Sequence, residues 1–139
     1  MSHHLNPINP EAVVDARGAI PPSDLLLVVV EVFGALADPT RVRILYALGR
    51  RALCVRDLAI VTGVSESAIS HQLRLLRDRR LVKVRRDGTT MYYSVYDQHV
   101  APLLREAEYH VDHVRQGLSD HIPYAAQIHA YIEHESEEE

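Results

Sequence analysis

The chain has 139 residues, 47% of them hydrophobic, which is enough for the core of one domain. A single cysteine excludes a disulfide framework within the chain, and no apolar run approaches the roughly 20 residues of a membrane-spanning helix. We therefore expect a cytoplasmic protein without a membrane partner. The net charge of −4 hides an asymmetry, because residues 40–96 carry +8 and the remaining residues carry −12. A basic middle between acidic ends is typical of a nucleic-acid face.

The chain is predicted to have three segments. Residues 1–22 hold four prolines and lack periodicity, so they are interpreted as a flexible arm. Residues 23–120 carry the helical and strand patterns and are expected to form the folded domain. Residues 121–139 form a C-terminal extension that ends in an acidic tail.

Apolar residues at helical spacing predict four helices before the hairpin. Ser23 or Asp24 is expected to cap the first, which ends before Asp38, and Ser65 is expected to cap the fourth. The four predicted helices cover residues 25–36, 39–48, 55–61 and 66–79.

A hairpin and a long helix are predicted to follow. Residues 81–84 and 91–95 alternate as strands do, and the segment between them contains Asp87-Gly88, a strong turn signal. A fifth helix is predicted over residues 97–118. The expected fold class is therefore mainly α with a β-hairpin.

The third and fourth predicted helices, joined by a turn at residues 62–65, form a helix-turn-helix pattern. The basic hairpin that follows makes it a winged helix. A helix fits the major groove of double-stranded DNA, where short polar side chains reach base edges, and arginines of the wing contact phosphate or the minor groove. Each polar residue taken alone is more often part of an ordinary solvated face; their combination favours DNA. The candidates are Ser65, Ser67, Ser70, His71, Gln72, Arg74, Arg85 and Arg86.

Four metal-ligating side chains lie at the two ends of the fifth predicted helix: Asp97, His99, His110 and His113. His99 and His110 are separated by roughly 16 Å along such a helix, whereas metal–nitrogen bonds are about 2 Å long. Two antiparallel copies would bring Asp97 and His99 of one chain to His110 and His113 of the other. The donor set suits Zn²⁺, and it is a partial set for Ni²⁺ or Co²⁺. A lone pair of histidines would be interpreted as ordinary surface residues. The spacing of all four residues favours a metal site.

These motifs resemble the ArsR/SmtB family of metalloregulatory winged-helix repressors over residues 28–120. The resemblance rests on ADPTRVRIL (residues 37–45), LCVRDLA (53–59), VSESAISHQL (64–73) and an Arg-Asp-Gly wing followed by Tyr92 and Tyr93. It implies a homodimer, formed through N- and C-terminal helices, that binds an inverted repeat when metal-free. Metal binding then releases the DNA.

The same resemblance implies an interhelical sensing site at Asp97, His99, His110 and His113, and residues 96–120 look most like the nickel/cobalt-sensing branch. Members of that branch complete six-coordination with ligands from their termini. The possible extra ligands are His3, His4 and His121, with His129 and His134 weaker.

Several alternatives stay open. A Zn²⁺-sensing repressor would use the same four ligands and leave both termini uninvolved. A second family site uses thiolates, but Cys54 stands alone and Arg56 occupies the second position, so Cys54 is expected to be a buried structural residue. A metalloenzyme is disfavoured because no His-Glu-x-x-His motif accompanies His110 and His113. A metal-insensitive member of the fold, acting through protein partners, is the third alternative.

Overall fold

A computed structural model describes residues 4–117 of the chain. The chain divides into two compact units, Met1–Val100 and Ala101–Glu139. The described elements, in chain order, are α1 (Pro10–Ala19), α2 (Ser23–Leu36), α3 (Pro39–Arg50), α4 (Val55–Thr62), α5 (Glu66–Asp78), β1 (Val82–Asp87), β2 (Thr90–Val95) and α6 (Val100–Gln116).

Helix α1 lies in the segment for which the sequence predicted a flexible arm. Asn9 caps it by accepting a 3.0 Å hydrogen bond from the backbone N–H of Ala12, and Pro10 occupies the first turn, where its missing N–H costs nothing. The helix buries none of its residues. Its sequence lacks the apolar periodicity that marks the core helices, and the Asn9-Pro10 cap was the main signal for it.

Helix α2 is apolar along most of its length, yet Ala35 is its only buried residue. The predicted cap was wrong. Ser23 is already the first helical residue, and Pro22 occupies the cap position without a side-chain hydrogen bond. The φ of −54° at Pro22 fits a helix entrance without help from a side-chain oxygen. The exposed apolar side chains are Leu25, Leu26, Leu27, Val28, Val29, Val30 and Phe33.

The core of the first unit lies among α3, α4, α5 and the start of β1. Asp38 caps α3 by accepting a 3.0 Å bond from the Arg41 N–H, which starts the helix where the sequence predicted. Burying each large aliphatic side chain contributes about 1.5–3 kcal/mol relative to exposure. The buried set is Ile44, Leu45, Leu48, Leu58, Ile69, Leu73, Leu76, Leu81 and Val82.

The turn between α4 and α5 confirms the predicted helix-turn-helix. Gly63 has a φ of +75°, and its N–H donates to the Ala59 carbonyl at 2.9 Å, which ends α4. Ser65 then caps α5. Because a side chain is strained at positive φ, glycine at position 63 lets the chain reverse within a few residues.

The hairpin is longer than the sequence predicted. Register runs from Val82 opposite Val95 to Asp87 opposite Thr90, so only two residues form the turn, with Gly88 at a φ of +62°. Arg85 and Arg86 therefore lie within β1 rather than in the turn, because strand pairing continues to the last residue before Gly88.

A short third strand segment, absent from the prediction, adds to the hairpin. Leu53 pairs with Tyr93 through hydrogen bonds of 3.0 and 2.9 Å. This bridge ties the loop before α4 to β2, so the helix-turn-helix and the hairpin are joined by backbone bonds.

Helix α6 begins at Val100, three residues after the predicted start at Asp97. The Asp97 carboxylate accepts a 2.9 Å bond from the N–H of His99, a local turn that competes with the helix. Gly117, with a φ of +63°, ends the described part of the chain.

Within residues 4–117, no single helix is long and apolar enough to cross a bilayer. Helices α1 and α2 meet the length and composition together, but the chain bends by 65° between them.

Candidate nucleic-acid interface and metal-binding residues

Helix α5 separates a buried face from a polar one. Ile69, Leu73 and Leu76 are fully buried, and this fixes how the helix is rotated on the core. Ser67, Ser70, His71 and Arg74 are all exposed and fall within about 100° of each other around the helix. We call these four residues the outer face of α5. The structure thus brings together four of the predicted DNA-contacting side chains on one surface.

Ser65 and Ser67 begin this surface at the N-terminus of α5. The Ser65 hydroxyl oxygen accepts a 3.1 Å bond from the N–H of Ala68, and it lies 3.2 Å from the hydroxyl oxygen of Ser67. Ser65 therefore has a capping role, and its other hydrogen-bonding capacity faces solvent beside Ser67.

Gln72, at the edge of the outer face of α5, makes a contact within the protein that the sequence did not predict. Its side chain is half-buried, and its Oε1 accepts a 3.0 Å hydrogen bond from Nη1 of Arg41. The carbonyl end of the amide is thus held by Arg41. Gln72 stays a candidate for DNA contact through the other end of its amide. The two residues are 31 positions apart in sequence, so no local pattern reveals the pairing.

Arg41 also binds the end of α2. Its Nε donates to the Ala35 carbonyl at 2.6 Å, and its Nη2 donates to the Gly34 carbonyl at 3.3 Å. These carbonyls belong to the last turn of a helix that has no basic residue of its own there. A cation at a helix C-terminus donates to carbonyls of the last turn and interacts favourably with the helix dipole. Sequence reasoning gave Arg41 no role beyond a family motif.

The wing presents cations on both of its faces. Alternation along β1 puts Lys83 and Arg85 on one face and Arg86 on the other, and all three are exposed. The guanidinium carbon of Arg85 lies 5.6 Å from the centre of the Tyr92 ring, and Nη1 is 4.0 Å from the Asp87 carboxylate. Lys83 was not among the sequence candidates, because the predicted strand ended before Arg85. Its exposed position on the same face of β1 as Arg85 makes it a further candidate.

Arg86 is held at the tip of the wing. Its Nε donates to the Gly88 carbonyl at 3.2 Å across the turn. This bond orients the guanidinium and does not use its two terminal nitrogens. An oriented fork of N–H groups suits phosphate oxygens.

Two of the candidate metal ligands lie on α6. His110 is exposed and His113 is half-buried, and three-residue spacing makes them neighbours on one helix face. The ring of His113 contacts the ring of Tyr109, with centroids 4.3 Å apart. This contact limits the rotation of His113, which favours a defined orientation of its nitrogens.

The other two candidate ligands, Asp97 and His99, lie in the turn before α6, and both are exposed. The bond from the His99 N–H to Asp97 Oδ1 fixes this turn while the second carboxylate oxygen can still coordinate a cation. Within residues 4–117 of one chain, no three His, Cys, Asp or Glu side chains gather into a metal-binding group.

The remaining candidates differ in what the structure says of them. His4 is exposed. Cys54, expected to be buried, is half-buried. It occupies the cap position before α4 without a side-chain hydrogen bond. His3, His121, His129 and His134 lie outside the described residues.

Comparison with known proteins identifies the family. Residues 38–84 match the family described as bacterial regulatory protein, arsR family. The HTH-type transcriptional regulator NmtR of Mycobacterium tuberculosis is 44% identical over 90% of this chain and 99% of its own length. A transcriptional repressor SmtB homolog of Synechocystis is 58% identical over 58% of this chain and 61% of its own length.

Solved structures agree with the fold. The solution structure of apo-NmtR superposes with a TM-score of 0.59 at 47% identity, covering 77% of this chain and 90% of that one. The homodimeric winged helix-turn-helix DNA-binding domain Mb0332 of Mycobacterium bovis gives 0.64 at 30% identity, covering 75% and 99%. The predicted winged helix is therefore confirmed. The chain belongs to the ArsR family and is a DNA-binding regulator of transcription rather than an enzyme.

Proposed function

We propose that the protein is a dimeric repressor that binds an inverted-repeat operator when metal-free and releases it when Ni²⁺ or Co²⁺ binds. Each metal site takes Asp97 and His99 from one copy and His110 and His113 from the other. The observation that carries the proposal is the placement of these four side chains before and along α6 in a chain that matches a regulator over 90% of its length.

The proposed dimer is supported by two exposed apolar faces. Helix α2 exposes a continuous apolar surface, including Phe33 with 59% of its surface accessible. A contiguous exposed apolar face on a small domain is typical of a protein–protein interface. Helix α6 exposes a second stripe at spacings of four, four and three residues, formed by Leu103, Ala107, Val111 and Val114.

His110 flanks the apolar stripe of α6, as it lies about 20° from Leu103 around the helix. A side chain at the edge of such a stripe lies near the partner when two copies pair through it. His110 is also about 15 Å along the helix from Val100, too far for the ligands before the helix to share its metal ion in a regular helix. If α6 of a second copy packs antiparallel to it, the residues before α6 of that copy lie beside His110 and can share its metal ion.

The donor set fits a first-row divalent metal. Three imidazoles and one carboxylate oxygen complete a tetrahedral Zn²⁺ site, whereas Ni²⁺ and Co²⁺ favour more ligands. The resemblance of residues 96–120 to nickel/cobalt sensors favours the second choice, with His3, His4 or His121 as extra ligands. Zn²⁺ with four ligands is the alternative.

Release of DNA requires that metal bind the DNA-bound dimer more weakly than it binds the dimer without DNA. We expect metal to fix the paired α6 helices in a geometry that misplaces the two α5 helices. The coupling is reciprocal, so saturating operator must weaken metal binding by the same factor. Unchanged metal affinity in the presence of operator contradicts this mechanism.

A titration of the DNA-bound dimer with Ni²⁺, Co²⁺ and Zn²⁺, followed by fluorescence anisotropy of DNA from upstream of the gene, tests the proposal. We expect Ni²⁺ or Co²⁺ to release the DNA at concentrations well below the concentration of Zn²⁺ that is needed for release. Release chiefly by Zn²⁺ supports the four-ligand alternative. Retention of DNA with all three metals contradicts metal regulation.

A further inference from the structure

We propose that Arg41 is a positioning residue that fixes α5 relative to α2, and that the spacing between the two DNA-reading helices of the dimer depends on it. The inference rests on the proposed function, since α2 is proposed to pair two copies and α5 to read DNA. The partly buried guanidinium of Arg41 would then make the position of each DNA-reading surface depend on how the two α2 helices pair.

The three side-chain bonds of Arg41 carry the argument. Two go to carbonyls in the last turn of α2, at 2.6 and 3.3 Å, and the third goes to Gln72 of α5 at 3.0 Å. The planar guanidinium holds these donors at fixed angles, so the end of α2 and the middle of α5 cannot move independently. Lysine, with the same charge, has no such fork.

Apolar packing does not replace this link. A cleft of about 290 Å³ lies between α2 and α5, lined by residues of both helices and by Arg41 itself. Along this cleft the two helices are not in close side-chain contact. The polar bridge at Arg41 is therefore expected to set their relative position.

A second ion pair joins the same two helices. Nη1 of Arg79, at the end of α5, lies 3.5 Å from a carboxylate oxygen of Glu31 in α2. Both side chains are about half exposed, so this pair contributes little by itself. It lies two helical turns along α5 from Gln72, and the two links together limit rotation of α5 about the Arg41 bond.

The consequence concerns DNA sites with two half-sites. One base pair added between half-sites rotates them by about 34° relative to each other, so a rigid dimer rejects the altered spacing. If Arg41 holds α5 to α2, loss of its fork lets each α5 adapt. The dimer then tolerates altered spacing, while a single half-site is bound as before.

The test compares Arg41→Lys with Arg43→Lys, a charge-preserving control at an exposed position of the same helix. Wild-type protein first selects its site from random duplexes. Affinities are then measured for that site, for versions one base pair longer and shorter, and for one half-site. We expect Arg41→Lys to reduce the preference for the selected spacing by about fivefold to tenfold, with half-site affinity within about twofold.

Three outcomes overturn the inference. They are unchanged spacing preference in Arg41→Lys, an equal loss in Arg43→Lys, and a fall in half-site affinity as large as the fall for the full site. Selection of a single half-site by wild-type protein would instead overturn the proposed dimeric repressor, and the inference with it.

A second variant covers the case in which Arg41→Lys does not fold. Gln72→Ala leaves both bonds from Arg41 to α2 in place and removes the bond to α5. Because Gln72 is also a candidate DNA contact, the spacing preference of this variant is compared with its own half-site affinity. We expect it to lose spacing preference to a similar extent. Retention of full spacing preference in a folded Gln72→Ala dimer also contradicts the inference.

Discussion

Nη1 of Arg41 donates a 3.0 Å hydrogen bond to Oε1 of Gln72, which joins the start of α3 to α5. A charge-assisted bond between partly buried groups contributes more than an exposed one. We expect Arg41→Lys and Gln72→Ala to destabilise the fold by less together than the sum of their separate effects. The expected coupling is about 1–2 kcal/mol in the free energy of unfolding by urea.

Arg43→Lys combined with Gln72→Ala provides the control cycle. Arg43 is exposed on the same helix, so its effect should add to that of Gln72→Ala within about 0.5 kcal/mol. Additive effects in the Arg41 cycle would mean that the bond contributes nothing to stability.

The cap of α5 gives a second stability prediction. Ser65→Ala removes the oxygen that accepts the Ala68 N–H, so we expect a loss of about 1 kcal/mol in the free energy of unfolding. Ser70→Ala, at an exposed position within the same helix, should change it by less than about 0.5 kcal/mol. Equal effects of the two substitutions, measured by urea denaturation, would argue against the cap.

The wing predicts a change in salt dependence. If Lys83 contacts a DNA phosphate, Lys83→Ala should weaken binding to all sequences alike and lower the slope of log K against log salt by about 1. Arg17→Ala on α1, outside the basic middle of the chain, should leave the slope unchanged. Anisotropy titrations over a range of salt concentrations measure both slopes. Identical slopes for wild type and Lys83→Ala would mean that Lys83 contacts no phosphate.

The exposed face of α2 predicts a change in oligomeric state. Phe33→Glu would place a charge in the proposed dimer interface, and we expect the dissociation constant of the dimer to rise at least about a hundredfold. Ile60→Glu is the matched control, because Ile60 is an equally apolar and even more exposed residue on α4. Sedimentation velocity distinguishes them; dissociation caused by Ile60→Glu but not by Phe33→Glu would move the interface to α4.

Much of the fold follows from local signals in the sequence. Apolar periodicity located the helices of the core, and Gly63, Ser65 and Asp87-Gly88 marked the turns where the structure has them. These signals act within a few residues of chain, so one sequence is enough to detect them.

The features that were not predicted depend on contacts between residues far apart in the chain, or on a side chain that stabilises a turn in place of a helix. The Leu53–Tyr93 bridge and the Arg41–Gln72 bond join positions far apart in the chain. The sequence analysis started the fifth helix at Asp97, but the Asp97 side chain holds a turn there and the helix begins at Val100. The outer face of α5 was predictable because the buried face fixes its direction.

The central claim, a metal site shared between two copies, is tested most directly with mixed dimers. One chain carries Asp97→Ala with His99→Ala, the other His110→Ala with His113→Ala, and differently tagged chains are purified as the heterodimer. We expect neither homodimer to respond to Ni²⁺ or Co²⁺, whereas the heterodimer binds one metal ion per dimer tightly and releases DNA on binding it. A heterodimer that binds no metal, or a homodimer of either variant that binds as wild type does, would contradict a site built from Asp97 and His99 of one copy and His110 and His113 of the other.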